Sequence, residues 1–300
     1  MARITKAKLR NIKEVILRRS GLNRHLAYTK RISINGFPIF IPLIEGEGET
    51  LLYMERGFKS QLLEKISGIA RTDFFIDVGA NVGQTMLEVF MDNRQVQYFG
   101  FEPNPLAFQM LHRIARVNKI KASLFPWACS STARPTRIFK ECERDSAATI
   151  LPEIRPDTYE NTPAEWVASF PLDMTVKEIV LPKHFVLKID TEGAELEVLR
   201  GATETITAFR PVIFCEVLHA HRESELELND SHKRSVETFL ALNSYSIYLC
   251  ELSHHGGTET LSGLKRIATF PRGIWSESPY TCDYIFIPLE AENFQLTSFR

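Results

Sequence analysis

The chain has 300 residues, of which 44% are hydrophobic, and its 36 lysines and arginines against 37 acids give a formal net charge of −1. This length and composition are sufficient for a substantial hydrophobic core, in one large domain or two small ones. The near-neutral charge excludes a globally basic nucleic-acid binder and an acidic-tail protein, so we expect no nucleic-acid partner.

The cysteines and the length of the apolar stretches bear on where in the cell the protein is located. Five cysteines, an odd number, are widely spaced and include no C-x-x-C pair. This pattern is typical of reduced, mostly buried side chains in a cytosolic protein. The longest apolar stretches, such as residues 37–44, are too short to span a bilayer, and the start of the chain has no signal-peptide pattern. We therefore expect a cytoplasmic protein that is at most peripheral to a membrane.

The first 31 residues are strongly basic, with ten lysines and arginines against a single acid. Leu9, Ile12 and Ile16 fall on one face of a predicted helix. A basic amphipathic helix can lie on an anionic membrane, pair with an acidic partner, or pack one face on its own domain. Packing is the simplest interpretation, and membrane contact through residues 1–31 stays open.

Residues 31–42 carry a hairpin pattern, in which an Asn-Gly turn separates two alternating runs. Residues 51–69 are predicted to be helical. We assign residues 1–70 to an N-terminal cap of basic helix, hairpin and second helix, and residues 71–300 to the main ligand-binding domain. Strands and helices alternate in the main domain, which predicts an α/β fold with a doubly wound, mostly parallel sheet.

The stretch from Phe74 to Thr85 is predicted to form a buried strand, a tight glycine turn and a helix start. Gly79 and Gly83 permit positive φ or a close backbone approach, and the helix start offers unpaired N–H groups. A dinucleotide fingerprint fails, because Asn81 and Gln84 occupy the later glycine positions. A P-loop fails as well, since no Gly-Lys-Ser/Thr follows Gly83.

Acids stand beside this turn on two successive strands. Asp77 precedes the turn, where its charge disfavours a pyrophosphate and suits a ligand with a cationic portion. Glu102 ends the next strand, from which an acid can accept hydrogen bonds from ribose hydroxyls. We therefore expect a ligand with a ribose and a positive charge, and S-adenosylmethionine fits this description. The alternative is a plain βα turn with a solvated acid at each end.

Later elements follow the same alternating pattern. Beyond residues 74–78 and 96–101, the predicted strands are 122–128, 185–190, 212–218, 246–252 and 282–288, and the predicted helices are 105–118, 192–209 and 232–243. Residues 138–151 are predicted to be irregular. Residues 152–171, with four prolines, are predicted to cover the site as a lid. Asp173 is predicted to be a helix N-cap.

Acids also end two of the later strands, at Asp190 and Glu216. Open α/β sheets bind ligands at the carboxyl ends of their strands. Alternation puts Lys188 and Asp190 on the same side, where burial favours pairing with each other, with a ligand or with another side chain. A purely structural ion pair is the alternative.

A divalent metal is not expected at these strand ends. The weak candidates for its ligands are Asp190, Glu216 and His219. They have no spacing signature, and such groups are more often a hydrogen-bonded polar cluster.

Several runs of the sequence together resemble one protein family. They lie at residues 76–83, 101–104, 172–173, 187–195 and 198–201. The first run is shared by many methyltransferases. The Lys-Ile-Asp-x-Glu-Gly-Ala-Glu run at 188–195 resembles the specific motif of the FkbM family of S-adenosylmethionine-dependent methyltransferases. The resemblance covers roughly residues 35–290, and its one small departure is Thr191, where an aliphatic residue is commoner.

This resemblance implies a class I methyltransferase (Rossmann-like) fold and S-adenosyl-L-methionine as cofactor. It also implies O-methylation, usually of a sugar or polyketide hydroxyl in a glycan or natural-product pathway. The expected cofactor contacts are Asp77 near the amino-acid head, Gly79, Ala80, Asn81 and Gly83 along it, Glu102 on the ribose, and Pro103, Asn104 and Ala128 around adenine. Asp190 is the first candidate for a base on the acceptor hydroxyl and Glu192 the second, with Lys188 completing the catalytic group.

Two other functional classes stay open. One is a catalytically inactive cofactor-binding scaffold or assembly partner. The other is a membrane-surface methyltransferase of lipid-linked glycan, for which residues 1–31 are the only indication. The sequence predicts neither the acceptor, a small molecule or glycan, nor an oligomeric state.

Overall fold

The computed structural model describes residues 27–34, 36–44, 48, 50–53, 61–63, 66, 73–141, 147–159, 162–255, 258–275 and 281–291. The predicted basic helix, most of the predicted helix over 51–69, and Cys142 lie outside these residues. The four described cysteines are buried and free, as expected. None of the described helices is long and apolar enough to cross a membrane.

The elements follow one another in a βα alternation. The N-terminal part forms β1 (Ala27–Ile34) and β2 (Phe37–Ile44). The central part forms β3 (Phe74–Val78), α1 (Gln84–Asp92), β4 (Gln97–Phe101), α2 (Pro105–Val117), β5 (Ala122–Phe125), β6 (Ala128–Cys129) and β7 (Arg134–Phe139). The C-terminal part forms α3 (Pro156–Tyr159), β8 (Ala164–Phe170), α4 (Leu172–Val176), β9 (Val186–Ile189), α5 (Glu195–Gly201), α6 (Thr203–Phe209), β10 (Val212–Glu216), α7 (Leu226–Leu242), β11 (Tyr245–His255), β12 (Thr258–Ile267) and β13 (Asp283–Pro288).

The largest sheet has eight strands in the order β12-β11-β13-β10-β9-β3-β4-β5. Neighbours from β10 through β5 are parallel, whereas β13 is antiparallel to both β10 and β11. The predicted mostly parallel sheet is confirmed. Strand order reverses beside β3, so the turn after β3 lies at the switch point where open α/β sheets bind ligands.

Alternation along β3 sends its side chains into two cores, one on each face of the sheet. Phe74, Ile76 and Val78 join apolar side chains from α4 to α7. Phe75 joins a second core with side chains from α1, α2 and the hairpin. The side chain of Asp77, two residues along from Phe75, therefore points toward the same face as this second core.

The predicted hairpin is confirmed, with β1 and β2 paired from Ala27 opposite Ile44 to Ile34 opposite Phe37. Its inner side chains Ile39 and Ile41 are fully buried in the core on the α1 and α2 side of the large sheet. The side chain of Asn118, at the end of α2, accepts from the Phe40 N–H at 2.8 Å and donates to its carbonyl at 2.7 Å. The hairpin is thus packed into the main domain.

Three predictions of secondary structure were wrong. Residues 138–151 and 152–171 were expected to be the irregular part of the chain, but they contain the end of β7 and the whole of β8, which form a three-stranded sheet with β6. Residues 258–267 form β12, which was not predicted. The helix expected over 192–209 starts only at Glu195 and divides into α5 and α6, because Glu192 and Gly193 have φ of 54° and 107° and cannot continue a helix.

Candidate active site

A cavity of about 260 Å³ lies at the carboxyl ends of β3, β4, β9 and β10. This volume is close to the lower end of the range for small-molecule sites, about 300–1,000 Å³. The lining residues come from these strand ends, from the segment around β6, and from residues 138–150. They are Val78, Gly79, Asn81, Phe101, Glu102, Pro103, Asn104, Ala107, Trp127, Ala128, Cys129, Ile138, Ala148, Ile150, Asp190, Thr191, Glu192, Ala194 and Glu216.

The glycine turn after β3 forms the floor of the cavity. The N–H groups of Gly79 and Ala80 both donate to the Phe101 carbonyl at 3.0 Å, and Asp190 N–H donates to the Val78 carbonyl at 3.0 Å. The turn is therefore tied to both neighbouring strands. Gly79 has φ of 84°, and a Cβ built on it would lie only 1.7 Å from the Asp190 carbonyl oxygen, so only glycine fits.

Glu102 lies at the end of β4 with its carboxylate held by backbone donors. Asn81 N–H donates to Oε2 at 2.8 Å and Asn104 N–H to Oε1 at 2.7 Å. Burial raises the pKa of the Glu102 carboxyl to about 7, although both N–H groups oppose the shift. Each oxygen keeps a second lone pair, so the carboxylate can accept two further hydrogen bonds.

Asp77 lies beneath this cavity, in a row of buried polar side chains on one face of the sheet. Its carboxylate accepts from Lys188 Nζ at 3.0 Å and from the Tyr98 hydroxyl. Burial raises the pKa of the Asp77 carboxyl, and the Lys188 ammonium opposes that shift. Lys188 Nζ also lies 3.2 Å from Asp190 Oδ2. The row therefore connects the sheet interior to an acid in the cavity wall.

Three carboxylates meet at the mouth of the cavity. Asp190, Glu192 and Glu216 each offer an oxygen within 4.8 Å of the others. Glu192 Oε2 also lies 3.3 Å from Arg155, which precedes the short helix α3. This cluster has the oxygen chemistry that hard cations or donor-rich ligands prefer.

His219, the third weak metal candidate, does not belong to this cluster. Its Nδ1 lies 3.1 Å from Lys233 Nζ, and its ring is 5.9 Å from that of Trp275. Burial, with the nearby Lys233 charge, lowers the pKa of His219 to about 4. Glu192 takes the place that the sequence had suggested for His219, because β10 ends at Glu216 and the chain has already left the cavity three residues later.

The turn after β9 is held by a buried acid, Glu195. Glu195 is fully buried, and its Oε1 accepts from Gly193 N–H at 2.8 Å and from the Thr191 hydroxyl at 3.2 Å. Its Oε2 lies 3.1 Å from Nε2 of His232 on α7. Glu195 and His232 thus position the turn that carries Glu192.

The wall beside Ala128 is aromatic, which the sequence analysis did not predict. The Trp127 ring lies 4.9 Å from that of Phe125 and 5.4 Å from that of Phe170. Its indole Nε1 is buried and has no hydrogen-bond partner among the described residues. A buried N–H donor beside a cavity is a candidate for ligand contact, since leaving it unpaired costs free energy.

The structure brings most of the predicted site residues together. Gly79, Asn81, Glu102, Pro103, Asn104, Ala128, Asp190 and Glu192 all line the cavity. Asp77, Ala80, Gly83 and Lys188 do not. Asp77 and Lys188 belong to the buried row beneath the cavity, and Gly83 is the N-cap of α1 with φ of 95°.

Comparison with known proteins points to a single family. The model for the methyltransferase FkbM domain matches residues 77–247. Methyltransferase sdnD of Sordaria araneosa is 26% identical over 167 residues, which is 46% of this chain and 64% of sdnD. The match therefore spans less than two thirds of that relative.

Solved structures give more distant matches. The methyltransferase FkbM of Methylobacillus flagellatus KT is 16% identical with a TM-score of 0.42, over 71% of this chain and 42% of that one. Precorrin-6y C5,15-methyltransferase of Geobacter metallireducens GS-15 is 12% identical with a TM-score of 0.37, over 76% and 84%. Because the family model covers more than half of the sequence and spans the turn after β3, Glu102 and Asp190, this protein belongs to the FkbM methyltransferase family.

Proposed function

We propose that this protein transfers a methyl group from S-adenosylmethionine to a hydroxyl oxygen of a sugar, glycan or natural-product acceptor. Family membership supports methyl transfer. The observation that carries the cofactor assignment is the Glu102 carboxylate, which two backbone N–H groups hold at the cavity with lone pairs to spare. A carboxylate in this position suits the two hydroxyls of a ribose.

The residues of the cavity fit the remaining parts of the cofactor. Trp127 offers an aromatic surface and an unsatisfied N–H on the wall where adenine is expected, beside Ala128. Gly79 places backbone at the floor of the cavity, and only glycine allows the turn to pack this closely on Asp190, whose carbonyl oxygen a Cβ would approach to 1.7 Å.

The chemistry divides between cofactor and protein. S-adenosylmethionine supplies an electrophilic methyl group with a neutral thioether as leaving group. The acceptor hydroxyl must lose its proton as its oxygen forms the new bond to carbon, and Asp190 is the base that we assign to this step. Lys188, 3.2 Å from Asp190 Oδ2, holds that carboxylate in place. A positioned base of this kind contributes about 10²–10⁴-fold to a rate.

The hydroxyl-bearing acceptor is supported by the three carboxylates at the mouth. Carboxylate oxygens only accept hydrogen bonds when ionised, and polyols offer donors in close succession. Glu192 and Glu216 could hold neighbouring hydroxyls while Asp190 takes the proton of the one that reacts. Arg155 forms an ion pair with Glu192 and so lies at the same side of the cavity as the proposed acceptor site.

Calorimetric titration tests the cofactor assignment. The full chain is titrated with S-adenosylmethionine, S-adenosylhomocysteine and NAD, each with and without magnesium. Micromolar binding of the two sulfur nucleotides and none of NAD is expected. Absence of binding by both sulfur nucleotides would favour a scaffold role, and binding that needs magnesium would make Asp190, Glu192 and Glu216 metal ligands.

Asp190→Asn tests the base. We expect S-adenosylhomocysteine affinity to stay within about threefold, while transfer of labelled methyl to an active sugar acceptor falls about 10²-fold or more. Glu216→Gln removes a charge from the same cluster without touching the assigned base, and it should instead raise the KM for the acceptor with little change in kcat. A large loss of cofactor affinity in Asp190→Asn would instead move this residue into the cofactor contacts.

A further inference from the structure

Positive charge is concentrated in two stretches of the sequence that contain no acid. Residues 15–44 and residues 103–140 have no Asp or Glu, although the chain contains 37 acids. The two stretches together hold 12 of the 36 lysines and arginines. With a formal net charge of −1, the rest of the chain must be acidic overall.

The fold brings these two stretches side by side. The Asn118 side chain joins the end of α2 to the Phe40 backbone of β2 through two hydrogen bonds, of 2.8 and 2.7 Å. A groove runs between the hairpin and α2. Its lining residues are Tyr28, Thr29, Pro42, Gln109, His112, Arg113, Arg116 and Val117. Arg31 lies opposite Phe40 in the hairpin register, on the outer side of the sheet.

We call the exposed cationic residues of this surface, Arg31, Arg113, Arg116 and Lys119, the basic face. All four side chains are exposed. Within the described residues, none of them forms an ion pair. Other arginines of the chain are matched, as Arg210 is by Glu290 and Arg272 by Glu237. The basic face therefore keeps its full charge for an external anion.

Exposed apolar side chains lie beside these charges. Phe37, Phe40 and Val117 are 43%, 39% and 36% exposed. Phe37 and Phe40 belong to β2, and Val117 is the last residue of α2, next to the groove. Cationic side chains intermixed with exposed aromatic and aliphatic groups match the boundary between anionic headgroups and acyl chains.

From this combination we infer that the basic face docks on an anionic phospholipid surface. The apolar groups favour a membrane over a nucleic acid, because an aliphatic side chain such as Val117 offers no ring on which a base could stack, and Arg94 already covers the Phe37 ring at 5.0 Å. The basic face is also separate from the cavity. Ala107 lines the cavity, and Arg113 and Arg116 lie about 9 and 14 Å further along α2. The inference therefore does not depend on the proposed reaction.

Vesicle co-sedimentation of the full chain tests this inference. Vesicles of phosphatidylcholine alone are compared with vesicles that also contain phosphatidylserine. Wild-type protein is expected to bind only the anionic vesicles, and less in high salt, which screens exposed charges. Arg113→Gln and Arg116→Gln should each weaken binding about fivefold. Phe40→Ser should weaken it at unchanged charge.

The matched control is Arg234→Gln with Lys265→Gln, two exposed cations on α7 and β12. It should bind anionic vesicles like the wild type, and circular dichroism of every variant verifies the fold. No binding of wild-type protein to anionic vesicles would overturn the inference, as would equal losses in the control. Binding of a single-stranded RNA in place of vesicles, lost in Arg113→Gln, would make the face a nucleic-acid surface and also overturn it.

Discussion

Two glycines have nearly the same φ but different surroundings. Replacing each by alanine therefore separates the free-energy cost of a steric clash from the cost of a positive φ. Gly79 and Gly36 have φ of 84° and 83°. A Cβ on Gly79 would lie 1.7 Å from the Asp190 carbonyl oxygen, whereas a Cβ on Gly36 would meet nothing within 4 Å. We expect Gly36→Ala to lower the free energy of unfolding by about 1–2 kcal/mol, the cost of holding a residue with a Cβ in the left-handed backbone conformation.

Gly79→Ala should cost at least about 2 kcal/mol more than Gly36→Ala, because β3 and β9 must separate to admit the methyl group. It should also abolish S-adenosylhomocysteine binding, which Gly36→Ala should leave intact. Urea denaturation and calorimetric titration measure the two effects. Equal costs at the two positions would mean that the strands can move apart freely.

Glu102 should make cofactor affinity depend on pH near neutrality. In the proposed complex the ribose hydroxyls donate to the ionised carboxylate, and burial raises the pKa of Glu102 from 4.5 to about 7. The acceptor form is therefore lost as the pH falls through about 7, and the affinity for S-adenosylhomocysteine should rise about tenfold from pH 6 to pH 8. Calorimetric titration across this range measures the rise.

The raised pKa of Glu102 has the opposite effect on the stability of the ligand-free protein, which should fall as the pH rises. Because the unfolded chain ionises near pH 4.5 and the folded chain near 7, the contribution of Glu102 to stability falls as the pH rises between these values. Glu102→Gln is the control for both effects. It should bind S-adenosylhomocysteine at least about tenfold more weakly at pH 8 and with a flat profile. A pH-dependent profile in this variant would assign the titration to another group.

For individual residues, the sequence predicted the position along a strand better than it predicted which side chains that residue contacts. Glu102 was correctly placed at a strand end in the cavity, because strand ends follow from pattern and length. Asp77 was expected near the ligand, but it faces Lys188 under the cavity floor. The error amounts to one position along β3. Asp77 is the fourth residue of this five-residue strand, and the fifth, Val78, is the one that lines the cavity. Side-chain partners depend on the neighbouring strand's register, which no local pattern reveals.

At the scale of elements, one helix is capped by another. Ala202 stands at the N-cap of α6 and has no side-chain acceptor. Asp173 on α4 takes over this task, accepting from Glu204 N–H and Thr205 N–H at 2.9 Å each and from the Thr205 hydroxyl at 2.6 Å. Asp173 is therefore a helix cap, as predicted, but it caps α6 across the fold, while Pro171 is the N-cap of α4.

Asp173→Ala should lower the free energy of unfolding by about 1–2 kcal/mol, the usual cost of losing an N-cap acceptor. Urea denaturation measures the change. Glu178→Ala, an exposed acid shortly after the same helix, is the control and should stay within about 0.5 kcal/mol of the wild type. An Asp173→Ala effect as small as that of the control would mean that α6 finds other acceptors for its first N–H groups.

Helices and strands were predictable from the sequence where their side chains are buried, and not where most of their side chains are exposed. The buried run of β3 and the glycine turn after it gave a clear pattern, and both are found. In β7 and β8 only Ile138 and Ser169 are buried, and Trp166 is 73% exposed. Such strands are stabilised by pairing with each other, so their sequences lack the alternation that a half-buried strand shows.

At the scale of the whole molecule, the hairpin and the main domain share one core. Ile39, Ile41 and Leu43 of β2 cluster with Phe75 of β3 and with side chains of α1 and α2. The boundary that we drew at residue 70 separates sequence patterns and stays a prediction as a domain boundary. A shared core implies that the hairpin and the cofactor site unfold together.

Ile41→Ala tests this cooperativity, because Ile41 is fully buried and lies far along the chain from the residues of the cavity. We expect a loss of about 2–5 kcal/mol in the free energy of unfolding, from the lost apolar contact and the cavity left behind. Urea denaturation is followed both by circular dichroism and by S-adenosylhomocysteine binding, and both midpoints should fall together. Ser33→Ala, on the exposed side of β1, is the control and should change neither. If Ile41→Ala lowered only a separate early transition and left the binding midpoint unchanged, the hairpin would be an independent unit, and residues 1–70 a cap that the methyltransferase domain does not need in order to fold.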